Sequence, residues 1–119
     1  MSAFTISNQE NSGITTISFT GYFSPEDEES LREQMQKALR TKGKKCILNF
    51  TDCKVFCSPG VALVLDLVAH VRENLGGKTI LVGLDSIKRK IFDMAGILQI
   101  ATDVETIGQA KMLLGDDAP

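Results

Sequence analysis

The chain has 119 residues, a formal net charge of −2 and 24% charged residues, which suits one domain whose core needs no cross-links. The densest basic stretch, KGKK with Lys42, Lys44 and Lys45, reads as a solvated turn, so nucleic acid is not an expected partner. The opening MSAFTISNQENSG lacks the pattern of a secretory leader. The longest near-apolar run, residues 61–71, contains Asp66 and His70 and is too short to cross a bilayer. The expectation is a cytoplasmic protein with no direct membrane insertion.

Two β-rich segments, Ala3–Ser7 and Ile14–Thr20, flank the turn-like NQENSG and predict an antiparallel hairpin. After Gly21, SPEDEESLREQMQKALRTKG carries helix signals at both ends. Ser24 suits the N-cap, Pro25 the first helical position, and Glu26, Asp27 and Glu28 the positive end of the helix dipole. Leu31, Met35, Ala38 and Leu39 form an apolar stripe, Lys37, Arg40 and Lys42 fill the last turns, and Gly43 stops the helix. KCILNF is apolar on both faces, as a buried strand of a parallel sheet would be.

The next helix runs from Ser58, as its cap, to about Leu75, and is closed by Gly76 and Gly77. KTILVG is another buried strand, and SIKRKIFDMAG a helix capped by Ser86 and ended by Gly96. LQIA predicts a last short strand. TDVETIGQAKMLLG predicts a final helix opened by a Thr102–Glu105 capping box. The whole is a single α/β domain over residues 1–115, ordered β-β-α-β-α-β-α-β-α, with a polar tail at 116–119. Its sheet is mostly parallel, joined by right-handed crossovers, with the hairpin adding the antiparallel member.

Catalytic signatures are missing. There is no GxxxxGK[ST], GxGxxG or GxSxG. Asp66 and His70 share one helix face, but His70 lies roughly 18 Å of rise beyond Ser58, outside hydrogen-bond reach. Cys46, Cys53 and Cys57 form no CxxC, and the chain has one histidine, so no zinc site is expected. Buried thiols in a reducing compartment are the reading for these cysteines. Cys57 has a second one, because a helix N-terminus lowers a thiol pKa and would make it a sensor. Neither an enzyme nor a cofactor is expected.

Val61, Val64, Leu65, Leu67, Val68, Val71 and Leu75 share an arc that can face a sheet, with Asp66, His70, Glu73 and Asn74 opposite. Leu63 falls inside the polar arc, one turn past Ser58, and is a candidate protein contact.

Taken together, FTGYFS (Phe19–Ser24), ILNFTDCKVFCSPG (Ile47–Gly60), GKTILVG (Gly77–Gly83) and AGILQI (Ala95–Ile100) resemble the STAS domain, the fold of bacterial anti-sigma factor antagonists. The resemblance implies a non-enzymatic regulator that binds an anti-sigma factor with serine kinase activity. It also implies that Ser58 is the phosphoacceptor and that a serine phosphatase resets it. The family pattern has aspartate where this chain has Cys57, Ser24 and Asn49, and a second serine where it has Pro59; Gly21 and Gly60 are retained. The implied partner surface comprises the Cys53–Pro59 loop including Cys57, Gly60 and Leu63 on the following helix, and Ser24 on the neighbouring loop. Two alternatives stay open: a non-phosphorylated STAS subunit of a membrane transport or signalling complex, and the thiol sensor at Cys57.

Overall fold

Alternating β-branched and aromatic residues build the first two strands, β1 (Phe4–Asn11) and β2 (Ile14–Tyr22), which pair antiparallel from Phe4↔Gly21 to Asn11↔Ile14. The structure is a computed structural model that describes residues 4–11, 13–39 and 44–115. Ala3, Arg40, Lys42 and Gly43, the side chains of Ala38 and Leu39, and the 116–119 tail therefore lie outside the described residues. The hairpin is longer than predicted. Asn8, Gln9 and Glu10, whose composition reads as a turn, pair with Ile17, Thr16 and Thr15 and lie exposed on an edge strand. Polar residues are what such an edge carries to avoid pairing with other chains.

A 3-10 turn, Pro25–Asp27, leads into helix α1 (Glu28–Leu39). Then come β3 (Lys45–Val55), α2 (Ser58–Glu73), β4 (Lys78–Val82), α3 (Ser86–Met94), β5 (Thr102–Val104) and α4 (Ile107–Leu113). The five strands lie in sequence order, and every pair after the first is parallel. The α/β class and the opening hairpin match expectation.

Four local expectations are corrected. LQIA is not a strand. Gly96 takes a left-handed conformation (φ 87°), which starts a 3-10 turn over Ile97–Gln99 that buries Ile97. The last strand is instead Thr102–Val104, paired with Ile80–Val82. Thr102 therefore caps nothing; α4 starts later, with Thr106 as N-cap and Gln109 completing the capping box. α3 is capped not by Ser86 but by Asp85, whose carboxylate accepts the Lys88 N–H at 2.8 Å.

The sheet buries both faces unequally. Leu31 and Met35 of α1, Val61, Val64, Leu67, Val68 and Val71 of α2, and Phe92 of α3 pack on one face over Ile17, Phe19, Leu48, Phe50 and Leu81. On the other face, α4 covers a smaller patch of Ile14, Ile47, Ile80 and Val82 with Ala110 and Leu114. The alternation of Leu48 and Phe50 with Ile47 places β3 in both cores, as its apolar sequence predicts.

All six phenylalanines, Phe4, Phe19, Phe23, Phe50, Phe56 and Phe92, join one network of ring contacts at 4.7 to 6.3 Å. Phe56 touches five of them, T-shaped against Phe50 at 5.2 Å. Gly60 packs beneath: a Cβ there would approach Phe56 to 2.8 Å and Phe23 to 2.9 Å. Phe56→Ala should lower unfolding free energy by about 3–5 kcal/mol, read as a lower urea midpoint at unchanged slope.

Candidate partner-binding edge

Parallel strands place their C-terminal ends, and the loops leading into helices, along one edge of a sheet. Here that edge carries Ser24 after β2, Cys57–Pro59 after β3 and Asp85 after β4. The first two loops are held together, because the Phe23 N–H donates to the Val55 carbonyl at 2.9 Å and Tyr22 pairs in register with Val55. Beside them, Ser24 is the expected N-cap. Its N–H and hydroxyl donate to Asp27 Oδ2 at 2.8 and 3.0 Å, and the Asp27 carboxylate is buried.

Ser58 differs from expectation in one respect. The N-cap of α2 is Cys57, whose backbone is extended and whose carbonyl accepts from Gly60 and Val61 at 2.9 and 3.1 Å. The first i to i−4 bond thus closes one residue earlier than predicted, and the thiol makes no capping bond. Ser58 becomes the first helical residue. Its side chain is exposed and its hydroxyl is free of capping. Pro59 follows within the first turn, half-buried, where its missing N–H goes unneeded.

The other predicted site residues fall into different settings. Cys53 is not in a loop: β3 continues to Val55, and Cys53 is 5% exposed with its thiol donating to the Val55 carbonyl at 3.6 Å. Burial pushes its pKa up to about 11, and that of Cys46 to about 12. Gly60 is buried as well. Leu63 is half-buried and does not stand out in solvent. It lines a groove of about 320 Å³ between α1 and α2 with Met35, Leu67 and His70, so its face is shared with α1. Asn49 donates to Ser18 Oγ and accepts from the Thr51 amide and hydroxyl on the opposite face of the sheet, away from Ser58.

A buried cation completes the edge and was not anticipated. Lys88 is 3% exposed, and its ammonium donates to Asp85 Oδ2 at 2.7 Å and to the Lys54 carbonyl at 3.2 Å. It thereby ties α3 to the end of β3. The signal was present as Asp-x-x-Lys at a helix start. Hydrogen bonds from the Lys88 side chain and backbone hold the Asp85 carboxyl below its ordinary range. Around this edge Tyr22, Val55 and Ile87 are 57%, 48% and 71% exposed, large apolar side chains left in water. Among the described residues no cluster of three or more His, Cys, Asp or Glu could hold a metal, and no helix is long and apolar enough to cross a membrane.

The fold and this edge define an α/β module with one antiparallel and three parallel strand pairs. The STAS domain family model matches residues 5–110, so the chain belongs to the STAS domain family. It is similar in structure to the phosphorylated form of the Bacillus cell-fate determinant SpoIIAA, with a TM-score of 0.73, 23% identity, and 92% of this chain and 98% of that one covered. It also resembles an anti-sigma-factor antagonist domain protein from Planctomyces limnophilus, with a TM-score of 0.81, 14% identity and coverages of 92% and 97%. The murine anion transporter Slc26a9 matches at a TM-score of 0.70 and 17% identity, over 89% of this chain and 18% of that one. The chain is thus a STAS domain resembling anti-sigma factor antagonists.

Two expectations follow. Ser58→Ala should change unfolding free energy by no more than about 0.5 kcal/mol, because an exposed first-turn hydroxyl is removed and not a cap, which would cost about 0.5–2 kcal/mol. Asp85→Asn keeps a capping acceptor but removes the negative charge that faces Lys88. It should destabilise by about 1 kcal/mol at pH 7, near the low end for a charge-assisted bond because Asp85 is half in solvent. The depressed carboxyl pKa stabilises the fold above the ordinary carboxylate range and loses that effect as pH falls through its folded value. Urea titrations of the two proteins should therefore converge as pH falls through that folded value.

Proposed function

We propose that this domain works by binding a partner protein in the cytoplasm at the edge that carries Ser58. The partner is an anti-sigma factor with serine kinase activity, phosphorylation of Ser58 releases it, and a serine phosphatase resets the hydroxyl. The observation that carries this reading is the exposed Ser58 hydroxyl, free of capping, at the first residue of a 16-residue helix. Exposed Tyr22, Val55 and Ile87 at the same end supply apolar surface for a docked protein. A phosphate there would carry about −1.5 to −2 charge at the positive end of α2, where it is electrostatically favoured within the domain. On the partner side the same charge would have to be desolvated, which is how a modification that suits the free domain can dissociate a complex.

Ser24, Cys57 and Pro59 belong to the contact surface in this reading. Cys53 and Gly60 support it from beneath, since both are buried. Leu63 contributes if the partner extends over the groove between α1 and α2. A second reading, a STAS subunit of a membrane transport complex without phosphorylation, draws on the likeness to the Slc26a9 anion transporter and on Cys57 and Pro59 beside the hydroxyl.

Affinity capture from the native cells, followed by intact-mass measurement, separates the two. The regulatory reading expects a serine-kinase partner and an added phosphate that disappears in Ser58→Ala. Ser58→Asp should weaken capture of that partner at least about tenfold. Unchanged affinity for Ser58→Asp would sink the switch. Recovery of a membrane transporter with unmodified Ser58 would favour the second reading.

A further inference from the structure

At the opposite end of the sheet, β4 starts before its neighbour does. Pairing with β5 begins at Ile80↔Thr102, so Lys78 and Thr79 precede any partner on that side. The Lys78 N–H donates to the Lys44 carbonyl at 2.8 Å, toward β3. Strand backbone groups alternate sides, so the Thr79 amide points the other way, toward the missing stretch of β5. The chain that would have filled this gap turns aside at Gly96 into the 3-10 turn and rejoins the sheet only at Thr102. A cavity of about 460 Å³ remains, between the last turn of α2, the start of β4 and residues 98–102.

Its lining has a definite chemistry. Arg72 and Lys78 stand at it with no carboxylate among the lining residues, and neither forms an ion pair among the described residues. Leu98, Ile100 and Leu113 supply apolar wall. Thr79 lines the cavity too, is 3% exposed, and its hydroxyl is the buried side-chain oxygen without a hydrogen-bond partner among the described residues. Buried polar groups are nearly always satisfied, and an exception calls for a missing partner. The size lies within the range of small-molecule sites.

We propose that this cavity binds a small organic anion, a carboxylate or phosphate head on an apolar body. Arg72 and Lys78 receive the head, Thr79 donates to it, and Leu98, Ile100 and Leu113 cover the body. The inference is independent of the partner-binding edge, which lies at the other end of α2.

Amide chemical shifts of the purified, isotope-labelled protein test it, with octanoate, octyl phosphate and the neutral 1-octanol as probes. Either anion should perturb the amides of residues 78–80 and 98–102 and half-saturate below about 1 mM, while 1-octanol binds at least about tenfold more weakly. The double variant Arg72→Ala/Lys78→Ala should keep its melting temperature and lose anion affinity at least about tenfold. Thr79→Val, which removes the unpartnered hydroxyl at nearly constant shape, should fold as well as the parent yet bind the anion more weakly. Equal binding of 1-octanol, undiminished affinity in the double variant, perturbation centred on Ser58, or no shift by about 10 mM would each overturn the proposal.

Discussion

The six-phenylalanine network is the constraint on which the rest depends. Its rings come from β1, β2, the segment after β2, β3, the segment after β3, and α3. Beside the rings, the Phe23 N–H joins the segment after β2 to the end of β3 by donating to the Val55 carbonyl. Phe23 immediately precedes Ser24, and Phe56 lies two residues before Ser58, so the two serine loops hang from adjacent rings 5.0 Å apart. Aromatic pairs contribute about 0.5–1.5 kcal/mol beyond area burial, and a closed set of them leaves little freedom in where the loops start. Gly60 is part of the same packing, since any side chain there would press into Phe56 and Phe23. Its retention in a resemblance otherwise thin at this spot has a steric cause.

Polar chemistry closes what the rings leave open. Lys88 fills the space between α3 and the end of β3 with a buried ammonium, and an unpaired charge there would be costly. It is satisfied by the Asp85 carboxylate and the Lys54 carbonyl, so α3 is fixed to the edge by geometry and not by apolar contact alone. Arg89 extends the arrangement, with Nε donating to Asp103 Oδ2 at 2.7 Å and joining α3 to β5. Tyr22, Val55 and Ile87 are therefore exposed at an edge held in place by ring packing and charged hydrogen bonds.

Much of this was legible from the residues. Periodicity located the strand cores, the helical arc of α2 and Leu31 and Met35 of the α1 stripe, because each segment buries a face large enough to leave a repeat. What failed were features set by contacts between distant segments. Thr51–Val55 continues β3 through a bulged register with β2, and no local signal marks a bulge. β5 is three residues long and lies at an edge, too short and too polar for an alternation to register. Near the C-terminus the capping-box pattern fits both Thr102–Glu105 and Thr106–Gln109, and of these two the second precedes a helix. Leu63 was placed in the polar arc correctly, yet α1 crosses beside it and takes it out of solvent. The Lys88 pair joins residues near in sequence to a carbonyl 34 positions away.

The cap of α2 decides how Ser58 is to be understood. Had Ser58 been the N-cap, its hydroxyl would be committed to a backbone N–H, and modification would remove a structural bond while adding charge. With Cys57 as the cap, the first accepting carbonyl belongs to the preceding residue and the hydroxyl is spare. Cysteine is a poor capping side chain, and the helix start relies on backbone bonds and on Pro59, whose fixed φ suits a first turn. Charge at Ser58 would thus act on the helix dipole and on whatever lies outside, with no native hydrogen bond to break. A substitution series at this position therefore separates partner effects from folding effects more cleanly than at a capping serine.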